Sequence, residues 1–139
     1  MPMKKLIFAT LLAASALAHA AGESITVFKD EHCGCCAVWV DHLKAAGYQV
    51  TTVNAPDLVA VKKLHGVKDE LASCHTAVVD ETGQVIEGHV PAAAVAKLIS
   101  QPSVKGVAVP GMPMNAPGMG KLNGQLVTVD FDGKPFSKD

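Results

Sequence analysis

The sequence predicts an α/β fold with elements in the order βαβαββα, and three observations predict it. Short runs of β-branched and aromatic residues recur near Ser24, Gln49, Thr76 and Gln84. Segments with a helical apolar period alternate with these runs. Gly, Pro, Asn and Asp punctuate the junctions.

Each element has its own reason. Ser24 to Phe28 alternates, with Ile25, Val27 and Phe28 favouring a strand. From Cys36 to Ala46 the positions Cys36, Trp39, Val40 and Leu43 fit one helical face, and Gly47 is a natural stop. A second strand is expected over about Gln49 to Val53. Asn54 to Asp57 then supplies turn and capping chemistry for a helix from Leu58 to Leu64, ended by Gly66. Thr76 to Val79 reads as a third strand, which Asp80-Glu81-Thr82-Gly83 turns into a fourth at Gln84 to Gly88. Pro91 suits the first turn of a last helix, Ala92 to Ile99. A Met/Gly/Pro-rich loop follows, and the alternating run Gln125 to Phe131 is expected to add an extra edge strand.

The chemistry is concentrated in four cysteines. Cys33-Gly34-Cys35-Cys36 lies where the first strand meets the first helix, and Cys74 stands far along the chain in Ser73-Cys74-His75. Cys33 and Cys36 have the C-x-x-C spacing of reversible disulfides and metal clamps, while Cys35 adds a thiol that a plain redox pair does not need. The element order with a C-x-x-C at this junction resembles the thioredoxin-like fold, over roughly Ser24 to Ser100. That resemblance implies Cys33 as the exposed nucleophile above the helix N-terminus and Cys36 as its shielded partner. It also implies a cis-proline before the third strand, where this chain has Cys74-His75 instead. A thiol and an imidazole therefore replace an inert ring. Four converging sulfurs in an exported protein read as two disulfides or as a soft-metal site, and thiolates select Cu(I), Zn or iron–sulfur clusters.

Export is read from the first twenty residues. Lys4 and Lys5, the apolar run Leu6 to Leu17 and Ala18-His19-Ala20 occur in secretory order, so residues 1–20 are expected to leave as a signal peptide. Residues 21–139 then form a single domain in the periplasm, with no cysteine at the cleavage point for a lipid anchor and no membrane anchoring after cleavage. The 12 basic residues include no arginine and face 13 acidic ones, a balance that argues against nucleic acid as a partner. The glycines of Gly111 to Gly120 do not follow a strand and open a helix, so they do not form a phosphate-binding loop.

Several segments together carry a more specific likeness. Asp30-Glu31-His32-Cys33-Gly34-Cys35-Cys36, Ser73-Cys74-His75-Thr76, Glu87-Gly88-His89-Val90-Pro91 and the loop from Val109 to Met119 resemble the CopG-like periplasmic copper-resistance family, long catalogued as a domain of unknown function. The resemblance implies Cu(I) held by Cys33, Cys35, Cys36 and Cys74, as a multinuclear cluster with redox activity. His75 and His32 adjoin these cysteines and are candidates for additional ligands or for raising the thiolate population. Met112, Met114 and Met119 read as a lid over the cysteines, with direct ligation of Cu(I) as the alternative. His42 and His65 are expected on solvated helix faces, and His89 in a capping role.

The function expected is periplasmic Cu(I) binding in copper resistance, with interconversion of Cu(I) and Cu(II). The partners are copper ions and other periplasmic copper-handling proteins, and zinc is the alternative metal. A different class is a thiol–disulfide oxidoreductase in which Cys33 attacks and Cys36 resolves. A third is a structural domain with two disulfides, which such small loops would stabilise little.

Overall fold

The computed structural model describes residues 22–139, so the expected signal peptide and its cleavage point lie outside the described residues. The elements are β1 (Ser24–Lys29), α1 (Gly34–Ala45), β2 (Gln49–Asn54), α2 (Leu58–Leu64), a 3-10 turn (Asp69–Leu71), β3 (Thr76–Val79), β4 (Val85–Glu87), α3 (Ala92–Ile99), β5 (Gly106–Ala108), β6 (Val127–Asp130) and β7 (Pro135–Lys138). They build one mixed sheet in the order β2-β1-β3-β4-β5-β6-β7. β1 and β2 are parallel, β1, β3 and β4 run antiparallel in turn, and β5 returns parallel to β4. The first four strands with α1, α2 and α3 are the thioredoxin-like body anticipated from the chain. Among the described residues no helix is long and apolar enough to cross a membrane.

Packing follows the periodicities. On β1 the side chains of Ile25 and Val27 are buried while their neighbours are half-buried, the two-residue alternation of a pleated strand. On α1 the buried residues are Cys36, Trp39, Val40 and Leu43, a three-and-four spacing that lays one stripe on the sheet. Fully burying each large apolar side chain in such a stripe contributes about 1.5–3 kcal/mol. The Trp39 indole also donates from Nε1 to the Val90 carbonyl at 2.9 Å, tying α1 to the segment between β4 and α3. Gln84 does the same for the other end of α3, its side-chain amide reaching the carbonyls of Leu98, Gln101 and Val104.

Differences from expectation lie mostly on the C-terminal side. The fourth strand is shorter than Gln84 to Gly88, because Gln84 is committed to the α3 connection and Gly88 turns out of the strand at φ +76°. β5 carries no sequence signal, being three residues long and opened by Gly106. The glycine leaves room for a neighbour: a Cβ there would come within 2.6 Å of the Phe131 ring, which would have to shift. The strand expected within Gln125 to Phe131 forms as β6, yet it is not at the edge. Its outer side pairs with β7, which Pro135 and a single aromatic residue, Phe136, had left unreadable as a strand.

Candidate metal centre

One end of the sheet gathers the functional side chains. The chain leaves β1 into the cysteine loop, enters β3 from Cys74-His75, leaves β4 towards His89 and leaves β5 into the methionine loop. Cys33 sits in the N-cap position of α1 without a side-chain cap bond, and the first turn holds no acidic residue. The positive end of the helix therefore lies beside the cysteine loop with no acidic side chain to offset it.

The four sulfurs lie within 4.8 Å of one another. Cys33 Sγ is 3.5 Å from Cys35 Sγ, and Cys36 Sγ is 3.3 Å from Cys74 Sγ. Cys33 and Cys36 are joined as a disulfide, with Cys33 partly exposed and Cys36 fully buried. Cys35 and Cys74 are free thiols. Burial, and then the neighbouring Cys35, push the Cys74 thiol up to about 11, so it keeps its proton at neutral pH until a cation displaces it.

Cys74 is held by a polar network that periodicity did not reveal. The buried Glu87 carboxylate accepts from the Ser73 backbone N–H at 2.7 Å, from the Lys62 ammonium at 2.5 Å and from the Thr76 hydroxyl at 2.7 Å. Lys62 also donates to Thr76 Oγ1 at 3.1 Å. Ser73 in turn donates through Oγ to the Gly111 carbonyl at 2.5 Å. Gly88 packs beneath this turn, where a Cβ would lie 2.5 Å from the Val109 carbonyl oxygen and 2.6 Å from Ser73 Cβ. One carboxylate of β4 thus ties the residue before Cys74 to α2 and β3.

The histidines are redistributed relative to expectation. His75 is fully buried, its ring 4.3 Å from the Trp39 ring and its Nδ1 3.4 Å from Cys74 Sγ. His89 is not a helix cap: its Nε2 lies 3.0 Å from Cys74 Sγ, and its Nδ1 lies 2.6 Å from the Pro117 carbonyl. The capping role belongs to His42, which is half-buried rather than solvated and accepts the Ala92 N–H at 3.0 Å through Nε2. Burial lowers the pKa of His42, which suits a ring that must accept. His65 ends α2 against the Phe28 ring. His32, the other candidate beside the cysteines, turns outwards to Glu31 with 85% of its side chain exposed.

The methionine loop meets the site through backbone. Pro117 supplies the carbonyl to His89, and Gly118 passes so close that a Cβ would sit 2.7 Å from the Cys35 carbonyl oxygen and 2.9 Å from His89 Nδ1. Met119 packs against the core, whereas Met112 and Met114 are exposed. Of the residues beyond the four cysteines, sequence reasoning missed Glu87, Lys62 and the placement of His89. The only signal for Glu87 and His89 was their presence together in Glu87-Gly88-His89.

Burial makes the centre sensitive to acid. Desolvation first, then His89 and Lys62, push His75 down to about 3, against about 6.5 in an unfolded chain. Above pH 6.5 both states leave it neutral and stability is whole. As pH falls below 6.5 only the unfolded chain takes the proton, so stability falls by up to about 1.4 kcal/mol per unit from this group until the folded ring titrates. Urea denaturation of the metal-free protein from pH 7 to 4.5 should show this decline, and His75→Phe should flatten it. Equal slopes in the two proteins would assign the decline to other groups.

A thioredoxin-like body whose C-x-x-C corner is enlarged to four sulfurs and two imidazoles carries a donor set able to hold a soft metal ion. Comparison with known proteins narrows this. Residues 71–119 match a family model described as a protein of unknown function, DUF411. Two solved structures, forms 1 and 2 of a copper resistance protein copG, each share 40% identity with a TM-score of 0.74, covering 85% of this chain and 98% of that one. No curated protein gives a significant match. The chain belongs to the CopG-like family.

Proposed function

We propose that the protein is an exported copper-binding protein of copper resistance, whose cargo is Cu(I) held by Cys33, Cys35, Cys36 and Cys74. The observation that carries this reading is the convergence of four sulfurs, one from the distant segment that leads into β3, to within 4.8 Å. Kinship to a copper resistance protein supports copper over zinc, which a four-sulfur set would also accept. Four thiolates in so small a space suit more than one Cu(I) ion. Two neighbouring thiols, Cys33 and Cys36, can also exchange electrons with copper. Two Cu(II) ions each take one electron from the two thiolates, the Cys33–Cys36 bond forms, and two Cu(I) ions result; a dithiol reductant reopens the pair. Cys35 and Cys74 remain as soft donors throughout.

The test is anaerobic titration of reduced residues 21–139 with Cu(I) against a competing chelator, repeated after oxidation. Several tightly held Cu(I) ions per reduced chain, and fewer per oxidised chain, are expected. Copper surrendered fully to a weak chelator would refute the reading. The asymmetry of a partly exposed Cys33 and a buried Cys36 also favours a second one, thiol–disulfide exchange. That activity should proceed without metal and vanish in Cys33→Ser.

A further inference from the structure

The two edges of the sheet are built differently. β7, at one edge, opens with Pro135, carries Lys138 and pairs with β6 through a bulge at Thr128 and Val129, features that keep an edge from pairing with another chain. β2, at the other edge, has none of them. Its residues Gln49-Val50-Thr51-Thr52-Val53-Asn54 are uncharged and rich in β-branched side chains, and all but Val50 are exposed.

The hydrogen bonds show which backbone groups are spare. The Gln49 N–H goes to the Glu23 carbonyl and the Ala55 N–H to the Lys29 carbonyl, so along this parallel ladder the odd-numbered residues turn their amides towards β1. Val50, Thr52 and Asn54 turn theirs outwards, where among the described residues nothing pairs with them. The outward run is closed at both ends. The Tyr48 N–H is already given to the Leu43 carbonyl, and Pro56 has none to give.

Those limits select one way for the strand to meet itself. A two-fold axis perpendicular to the sheet at Thr52 sets Val50 of one protomer opposite Asn54 of its partner, Thr52 opposite Thr52, and Tyr48 opposite Pro56. Val50, Thr52 and Asn54 then each exchange an N–H and a carbonyl bond across the axis, and the ladder stops on both sides where no N–H is left. Moving the axis to Thr51 sets the Asn54 carbonyl against the Tyr48 N–H already in use, and moving it to Val53 sets Val50 against Pro56. On the other face of the pair Thr51 meets Val53, a β-branched contact. An uncharged strand also sets no like charges opposite one another when it meets its own copy.

We propose that the outer edge of β2 is a docking surface for a second copy of this chain, pairing antiparallel about Thr52 into one sheet continuous across a two-fold axis. The cysteines lie at the end of the sheet where β1 finishes, and β2 runs parallel to β1, so the pairing leaves the two centres open at opposite ends. No residue of β2 belongs to the donor set, and the proposal does not rest on the copper reading.

The test is sedimentation equilibrium of metal-free residues 21–139 with a reductant present, so that intermolecular disulfides do not contribute. A strand of 6 residues is a narrow contact beside the standard interface of about 800 Å² per partner, so association should depend on concentration. The mean mass should climb from one chain towards two between about 10 μM and about 1 mM. Amide hydrogen exchange identifies the surface: Val50, Thr52 and Asn54 should gain protection on concentration, whereas Thr51 and Val53, already bonded to β1, should not. Thr52→Pro removes an outward N–H from each copy and spares the bonds to β1, so association should weaken by about tenfold or more. Should that variant misfold, Thr52→Lys sets two ammonium groups at the axis and carries the same expectation. Ser103→Lys, a charge-matched change at an exposed residue off the strand, should have no effect. A single-chain mass throughout, a dimer in which the outward amides stay unprotected, or undiminished association in the folded Thr52 variant would overturn the proposal.

Discussion

Replacing Cys74 with serine should lower the Cu(I) affinity of the reduced protein more than the about 10–100-fold that loss of a mere supporting group costs at a metal site. The reason is topological. Cys33, Cys35 and Cys36 belong to one turn at the start of α1, and a single helical turn cannot wrap a metal from all sides. Cys74 comes from the entry to β3, 38 residues away from Cys36, and closes the set from a different element. Serine keeps the size but offers a hard hydroxyl in place of a soft thiolate. Chelator competition is the measurement, with circular dichroism confirming the fold. Natural affinity in Cys74→Ser would confine copper to the N-terminal trio and remove the basis of the assignment.

Glu87→Ala should destabilise the metal-free protein by about 3–5 kcal/mol, the cost of leaving half of a buried ion pair behind. Glu87 is fully buried and Lys62 nearly so, and their contact is 2.5 Å. Removal strands the Lys62 charge, the Thr76 hydroxyl and the Ser73 N–H at once. The damage extends to function, because the Ser73 N–H is the anchor next to Cys74. Glu87→Gln, which keeps the shape and part of the hydrogen bonding, should cost less and leave a weakened site. Urea denaturation gives the stability, and Cu(I) competition gives the site. A loss below about 1 kcal/mol would mean that water takes the place of the carboxylate, as at a surface pair.

Much of this arrangement was legible before any coordinates. The spans of α2, β3 and α3 follow from capping and apolar period, and Cys74-His75 could be set opposite Cys33 because the first strands repeat a known order. Long-range polar pairs were not legible: Lys62 and Glu87 are 25 residues apart, and each reads alone as an ordinary surface charge. His89 had no periodic signal, since its role depends on a carbonyl 28 residues later. β5 was hidden for a different reason. Its glycine lies under the Phe131 ring, a contact that no local rule encodes.

Trp39 is the only tryptophan of the chain. Its ring lies 4.3 Å from His75, and its N–H is tied to Val90. A fluorophore thus stacks on the imidazole that borders Cys74, so emission intensity gives a label-free optical gauge of what the cysteines take up, in real time and at low protein concentration.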